Sequence, residues 1–313
     1  MTVRPFDWRD LPALHRYQDH CLFLDTMRHL TQGRRLVSAS ALASYFSLAT
    51  GIFTFRIKEN SHSRQVLLAQ ATHPAGSPSA HLSFLAPESA ILSPSLLELL
   101  EQITVQMGER GAYNVLAEID EEHEAFEALR RAGFAIYSRQ RIWQLTGESE
   151  GESVETPWKQ GNSTDIIGVR SLYCNLVPGL VQQVEPPPVH RLRGLVYREK
   201  DEMLAYVEIH YGPQGIWVQP FFHPDIGKSA GRLAHLLRNL PYRRSRPVYI
   251  CIRSYQFWLE PALENIGVQV GPHQAVMVKR LAVIQKSPRP IRVPALERGQ
   301  PEVSTNMTQT KSN

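Results

Sequence analysis

The chain of 313 residues is 42% hydrophobic, which suffices for two packed cores and makes two domains the reasonable prior. A formal net charge of +4 is too slight to mark a nucleic-acid binder, and three cysteines, Cys21, Cys174 and Cys251, with no Cys-x-x-Cys pair exclude a disulfide framework and a zinc site. They suit small buried thiols in a reducing interior. The charged start MTVRPFDWRD lacks the apolar run of a secretory signal, so the expected location is the cytoplasm.

Residues 2–5 suit a short strand, and Asp10 can cap a helix whose apolar positions Leu11, Leu14, Tyr17, Cys21 and Leu24 recur at helical spacing. Residues 36–55 carry no charge and are long enough to span a membrane, but their repeated Ser and Thr argue instead for a helix packed inside the first domain, running into a strand from Gly51. No membrane association is expected. Three strands follow over residues 51–86. Ser95 with Glu98 makes a capping box that opens a helix to about Met107, residues 113–119 form the next strand, and the first domain, 1–146, closes near Leu145.

The polar, acidic stretch TGESEGESVETP reads as a linker centred on residues 147–154. The second domain, 155–285, starts with a helix over residues 166–184 that Pro186, Pro187 and Pro188 terminate. Residues 286–313 turn Pro-rich and polar, the composition of a disordered tail.

One cadence occurs twice, 134 residues apart (Gly267 minus Gly133): YNVLAEIDEEHEAFEALRRAGFAIYSRQRIWQL from Tyr113, and PVYICIRSYQFWLEPALENIGVQVGPHQAVMVKRL from Pro247. Each reads strand, amphipathic helix, Gly, strand, strand, with Gly133 and Gly267 at the left-handed position that ends a helix. A period this long implies two domain-sized units rather than stacked repeats. The cadence resembles the C-terminal half of the GNAT superfamily of acyl-CoA-dependent N-acyltransferases, whose usual ending is Ala-x-x-x-Tyr-x-x-x-Gly-Phe. Ala125, Gly133 and Phe134 match it in the first copy. In the second, residues 194–225 look like the family's central meander, with His223, Pro224 and Asp225 matching a common strand ending, while Trp158 and Asp165 fit its first strand and helix. The resemblance implies an α+β protein of two tandem GNAT-like domains, each a mixed, mostly antiparallel sheet flanked by helices.

By resemblance, coenzyme A would lie between the splayed fourth and fifth strands of a domain, its diphosphate on the N-terminus of the helix after the fourth strand, where free N–H groups and the helix dipole meet negative charge. The first domain offers PESAILSPSLLELLE there, with no glycine and with Glu88, Glu98 and Glu101, which would repel phosphates. The second offers Ile226, Gly227, Lys228, Ser229, Ala230, Gly231 and Arg232, the candidate acetyl-CoA contacts, though with Gly-x-x-x-Gly spacing. This segment also reads as an ordinary strand-to-helix turn that needs glycine for its geometry.

The family's usual tyrosine acid is replaced by Leu129 and Leu263. Glu208 and His210 alternate onto one face of a strand and are the candidate catalytic pair for an amine acceptor, small molecule or protein; a solvated strand face is the commoner account of such residues. The alternative function is a non-catalytic pseudo-acetyltransferase serving as a ligand-binding or interaction scaffold. Arg238, Arg243, Arg244 and Arg246 around Tyr242 offer a basic patch, for which a solvated loop is the simpler account, so nucleic acid is not an expected partner; a homodimer is left open. His123 lacks the spacing of a zinc site, and no metal is expected. Gly147-Glu148-Ser149-Glu150-Gly151 matches a nucleophile elbow in letters but sits in the linker.

Overall fold

The computed structural model describes residues 3–33, 51–58, 66–147, 152–266 and 268–281. The helix expected before Gly51, the Gly267 cap and the expected tail lie outside them.

The first half runs β1 (Arg4–Pro5), α1 (Leu11–Tyr17), β2 (Leu22–Phe23), α2 (Thr26–Gln32), β3 (Ile52–Lys58), β4 (Val66–Thr72), β5 (Ser79–Ala86), α3 (Ser95–Glu109), β6 (Asn114–Asp120), α4 (Ala125–Arg131) and β7 (Ala135–Leu145). The second half runs β8 (Lys159–Gln160), α5 (Ile166–Leu176), α6 (Gly179–Gln182), β9 (Gly194–Glu199), β10 (Glu202–Tyr211), β11 (Ile216–Phe222), α7 (Ser229–Arg238), β12 (Val248–Arg253), α8 (Glu260–Glu264) and β13 (Gln269–Arg280). Gly133 takes φ +88, the left-handed cap the cadence predicts.

Four local expectations are corrected. The first helix ends at Tyr17, because Leu22 and Phe23 pair in the sheet with β5. Asp10 stands at its N-cap but does not cap it; the buried carboxylate instead accepts from Arg4, Arg56 and the Asp7 N–H. Ser95 lies inside α3, buried, and its N–H donates to the Ser93 hydroxyl at 3.2 Å, so no capping box forms. The single helix over 166–184 is two, α5 and α6, parted at Val177 and Pro178, where proline cannot continue the ladder.

The thirteen strands form one sheet, with β2 as a branch on β5 and the rest in the order β1-β3-β4-β5-β6-β13-β7-β12-β11-β10-β9-β8. β13, the last strand of the second half, lies between β6 and β7 of the first, and β7 in turn lies between β13 and β12. The two closing strands expected after the glycine of each copy are one long strand in each, β7 and β13, and each of these pairs on both sides with strands of the other half. The sequence boundary near residue 150 does not divide the sheet.

The cores follow this exchange. Under α3 and α4, Leu99, Leu100, Ile103 and Met107 meet Val115, Ala117 and Ile119 of β6 together with Ala275 and Met277 of β13. Under α7 and α8, Leu233, Leu236, Leu237 and Leu263 meet Val248, Ile250 and Ile252 together with Trp143 and Leu145 of β7. Burying one such side chain stabilises by about 1.5–3 kcal/mol, so each core depends on the strand it borrows. A third core lies on the opposite face, where Leu116, Val276, Tyr206 and Phe221 alternate with residues of the other two and pack beneath Leu172 and Tyr173 of α5. The β7–β13 register shifts between Val276 and Met277, leaving Tyr137 without a partner in register and turning its ring into this third core.

Candidate active site

Both halves contain a parallel strand pair that opens. β11 and β12 pair at Ile216 with Val248, Trp217 with Tyr249 and Val218 with Ile250, then part, although β11 continues to Phe222 and β12 to Arg253. β5 and β6 pair from Ser79 with Asn114 to His81 with Leu116 and part in the same way.

The first gap is filled by the chain itself. Leu22 and Phe23 pair with Leu85 and Phe84, the Leu24 N–H donates to Ser83 at 3.0 Å, and the Glu118 N–H donates to the Leu24 carbonyl at 2.8 Å. The Thr26 N–H then donates to the Glu118 carboxylate at 2.9 Å. Residues 22–26 bond both edges of the opening, as an inserted strand would.

The second gap begins beside the predicted catalytic pair. On β10, Glu208 faces Gln219 and His210 faces Trp217, so the two side chains flank the last β11–β12 pair. His210 Nε2 lies 2.9 Å from Glu208 Oε1, and both side chains are part-exposed. They line a cavity of about 410 Å³ whose other walls come from both halves: Glu118, Tyr137, Tyr173, Glu185, Phe221 and Arg253 among them. A larger cavity, about 1020 Å³, shares Asp25, Met27, His81 and His210 with it. The spacing of Glu208 and His210 revealed their shared face; the residues brought in by the other half carried no local signal.

The cavity is electrostatically unusual at Arg253, which is 7% exposed and reaches Glu185 at 2.7 Å. Burial opposes its charge, but Glu185 together with Cys251, Tyr137 and Tyr255 outweighs that and raises the guanidinium. The Tyr137 hydroxyl also donates to Glu185. Burial, and then the Glu185 carboxylate, raise the Tyr137 and Tyr173 phenols, and burial raises the Glu118 carboxyl against the pull of Arg253.

The free edge of β11 is largely closed to new backbone partners. The His223 N–H points to β10, donating to Leu204 at 2.9 Å, so alternation turns the Phe222 N–H and carbonyl towards the gap. The buried Gln256 carboxamide takes both, its Oε1 accepting at 3.3 Å and its Nε2 donating at 2.9 Å. Pro220, the preceding residue of that orientation, has no N–H to offer.

At residues 226–232, Gly227 and Lys228 take φ +57 and +47 in succession before α7 begins at Ser229. The N–H groups of Ser229, Ala230 and Gly231 have no partner within the helix by its geometry. The Arg232 Nε donates to the Ile226 and Gly227 carbonyls, and its guanidinium lies 4.4 Å from the Tyr197 ring centre. Gly231 has a different use: a Cβ there would stand 2.6 Å from Val154 Cγ2, and the Val154 N–H donates to the Gly231 carbonyl at 3.0 Å. Its missing side chain lets the inter-half segment lie against α7. His223 caps the short turn after β11, accepting from the Asp225 N–H.

The arginine-rich loop is tied to its own chain. Arg246 donates to the Gly212 carbonyl at 2.6 Å and to Arg243 and Tyr242, while Arg243 donates to Gly147. Of the cysteines, Cys251 is buried, Cys21 is half-buried and Cys174 is exposed, so the expectation of buried thiols fails at Cys174. Among the described residues no group of His, Cys, Asp and Glu could hold a metal ion, and no helix is long and apolar enough to cross a membrane.

No family model and no curated protein sequence matches this chain. Its structure is similar to that of a GCN5-related N-acetyltransferase from Sphaerobacter thermophilus, with a TM-score of 0.54 at 12% identity over 90% of this chain and 96% of that one. It is also similar to a tandem GNAT protein from the clavulanic acid biosynthesis pathway, with a TM-score of 0.51 at 14% identity over 89% and 98%. At these identities the likeness shows the fold, and the chain has the α+β GNAT fold.

Proposed function

We propose that this GNAT-fold chain is a cytoplasmic N-acetyltransferase that transfers an acetyl group from acetyl-CoA to an amine, in the cavity where β11 and β12 part. The observation that carries this reading is the position of Glu208 and His210 at the head of the one parallel-strand opening, of the two described, that no strand among the described residues fills. The amine nitrogen attacks the thioester carbonyl carbon, and its proton passes to Glu208 directly or through His210. The C–S bond then breaks, and the departing sulfur takes up a proton, giving an amide and the free thiol. The exposed Lys228 and the first N–H groups of α7 would meet the diphosphate. Three unpaired cysteines support a reducing compartment.

A second reading, a non-catalytic binding scaffold, is favoured by Gln256, which takes the hydrogen-bonding groups of Phe222, and by Val154, which covers Gly231. Calorimetric titration with acetyl-CoA separates the two. Under the first reading the wild type binds and Lys228→Glu, which reverses an exposed charge without touching the core, weakens binding at least tenfold. Absence of binding by the wild type selects the scaffold.

A further inference from the structure

Arg253 is the least explained charge among the described residues. It ends β12 at the open gap, lines the cavity, is 93% removed from solvent (7% exposed) and uses one nitrogen on Glu185. Its Nε and Nη1 have no hydrogen-bond partner, and neither has the buried Tyr255 hydroxyl, which the Arg253 charge acts on. A buried donor without an acceptor costs about 1–3 kcal/mol, more when charged, so such groups persist where function uses them.

The remaining walls restrict what can satisfy those donors. Asp25, Glu118, Glu185 and Glu208 line the same cavity, so a simple anion would meet more negative than positive charge there. Tyr137, Tyr173, Tyr206, Trp217 and Phe221 supply apolar surface in the same cavity. A ligand that suits all three carries a carboxylate for Arg253, an ammonium for the acidic side, and an apolar body.

We propose that the cavity is an amino-acid site, in which the unpartnered Nη1 of Arg253 holds the carboxylate of an α-amino acid with an apolar side chain. The carboxylate subsite stands on the cavity geometry; assigning the amine as acyl acceptor beside Glu208 rests on the acetyltransferase reading above. Glu185 is then a positioning residue, holding Nη2 and so fixing the guanidinium with Nη1 free for the ligand.

The test is thermal unfolding of the full chain with each of L-leucine, L-methionine, L-phenylalanine and L-tyrosine, followed by calorimetry with the strongest and with the matching amine that lacks the carboxylate. At least one amino acid raises Tm, and its decarboxylated amine binds at least tenfold more weakly. Arg253→Lys, which keeps a charge for Glu185, removes the difference between the two ligands. Should that variant fail to fold, Arg253→Gln with Glu185→Gln removes both charges together and gives the same comparison. The proposal is overturned if none of the four binds, if the decarboxylated amine binds equally well, or if the foldable variant keeps the preference. Acetyl-CoA titrated into the same samples separates the two ideas: amino-acid binding without acetyl-CoA binding keeps this site and removes the transferase, and the reverse removes this site alone.

Discussion

Gln140 and Gln274 stand one repeat apart (274 minus 140 is 134) and face each other across β7 and β13, the Gln140 Nε2 donating to the Gln274 Oε1 at 2.9 Å. A residue paired with its own repeat equivalent marks the local two-fold axis of the duplicated chain. Around it the amides continue into both halves: Gln274 donates to Asp120 at 3.0 Å and accepts from Thr26, and Cys251 donates to Gln140.

Because Gln140 is fully buried, Gln140→Ala removes both its own packing and its hydrogen bond to the half-buried Gln274, and a loss of about 1–3 kcal/mol is expected. Gln274→Ala should cost a similar amount and the double variant less than the sum. Urea denaturation of the four proteins measures this; strict additivity would show that the two amides are not coupled.

Cutting the backbone between residues 147 and 152 should not separate the halves. With β7 and β13 exchanged, the nicked protein is expected to elute as one species in size exclusion under native conditions. Two species of half size would contradict the shared sheet.

Gln256→Ala frees the Phe222 N–H and carbonyl towards the gap. The expected result is a lower Tm, from two buried groups left unsatisfied, together with at least a threefold gain in acetyl-CoA affinity. If the affinity is unchanged while Tm falls, Gln256 holds the strands and does not compete for that edge.

Glu208→Gln should lower kcat/KM for acetyl transfer by about 100-fold or more while leaving acetyl-CoA affinity in place, since it removes a proton acceptor and little else. Stopped assays of thiol release against an amine, beside calorimetry, give both quantities.

Stability should fall in alkali. Burial raises Cys251 from an ordinary 9.0 to about 12, and Tyr137, Tyr173 and Tyr206 also sit above the ordinary 10.0 of tyrosine. Above pH 9 the native state therefore holds protons that the unfolded chain has released, so stability present below that pH is lost as pH rises through the raised native values. Chemical denaturation at pH 8 and 11 checks the sign. Thiol titration at pH 8 should label exposed Cys174 and leave Cys251 unreacted until the protein unfolds.

What the sequence disclosed follows the range of each signal. The repeat, the Gly133 cap, the meanders of residues 51–86 and 194–222 and the shared face of Glu208 and His210 are local patterns of period, turn chemistry and alternation, and all are present. The exchange of β7 and β13 was not legible, because a strand's hydrophobic pattern says which face is buried and nothing about which neighbour it pairs with. For the same reason residues 22–26 read as the end of a helix: Leu24 continues the helical spacing, and only the open β5–β6 edge draws it into an extended strand. Arg253 carries no local signal beyond its place at the end of a strand; its partner inside the cavity, Glu185, lies far away in sequence.

During synthesis, the first half emerges from the ribosome well before β13, whose first residue follows the last of β7 by 124 positions (269 minus 145). Until then β6 and β7 each have a bare edge, and Ala117, Ile119 and Trp143 lack their final cover. Such edges invite pairing with other chains, so a pause by the ribosome before β13 is a hazard for aggregation, and a chaperone that shields strand edges would matter most for this protein in that interval.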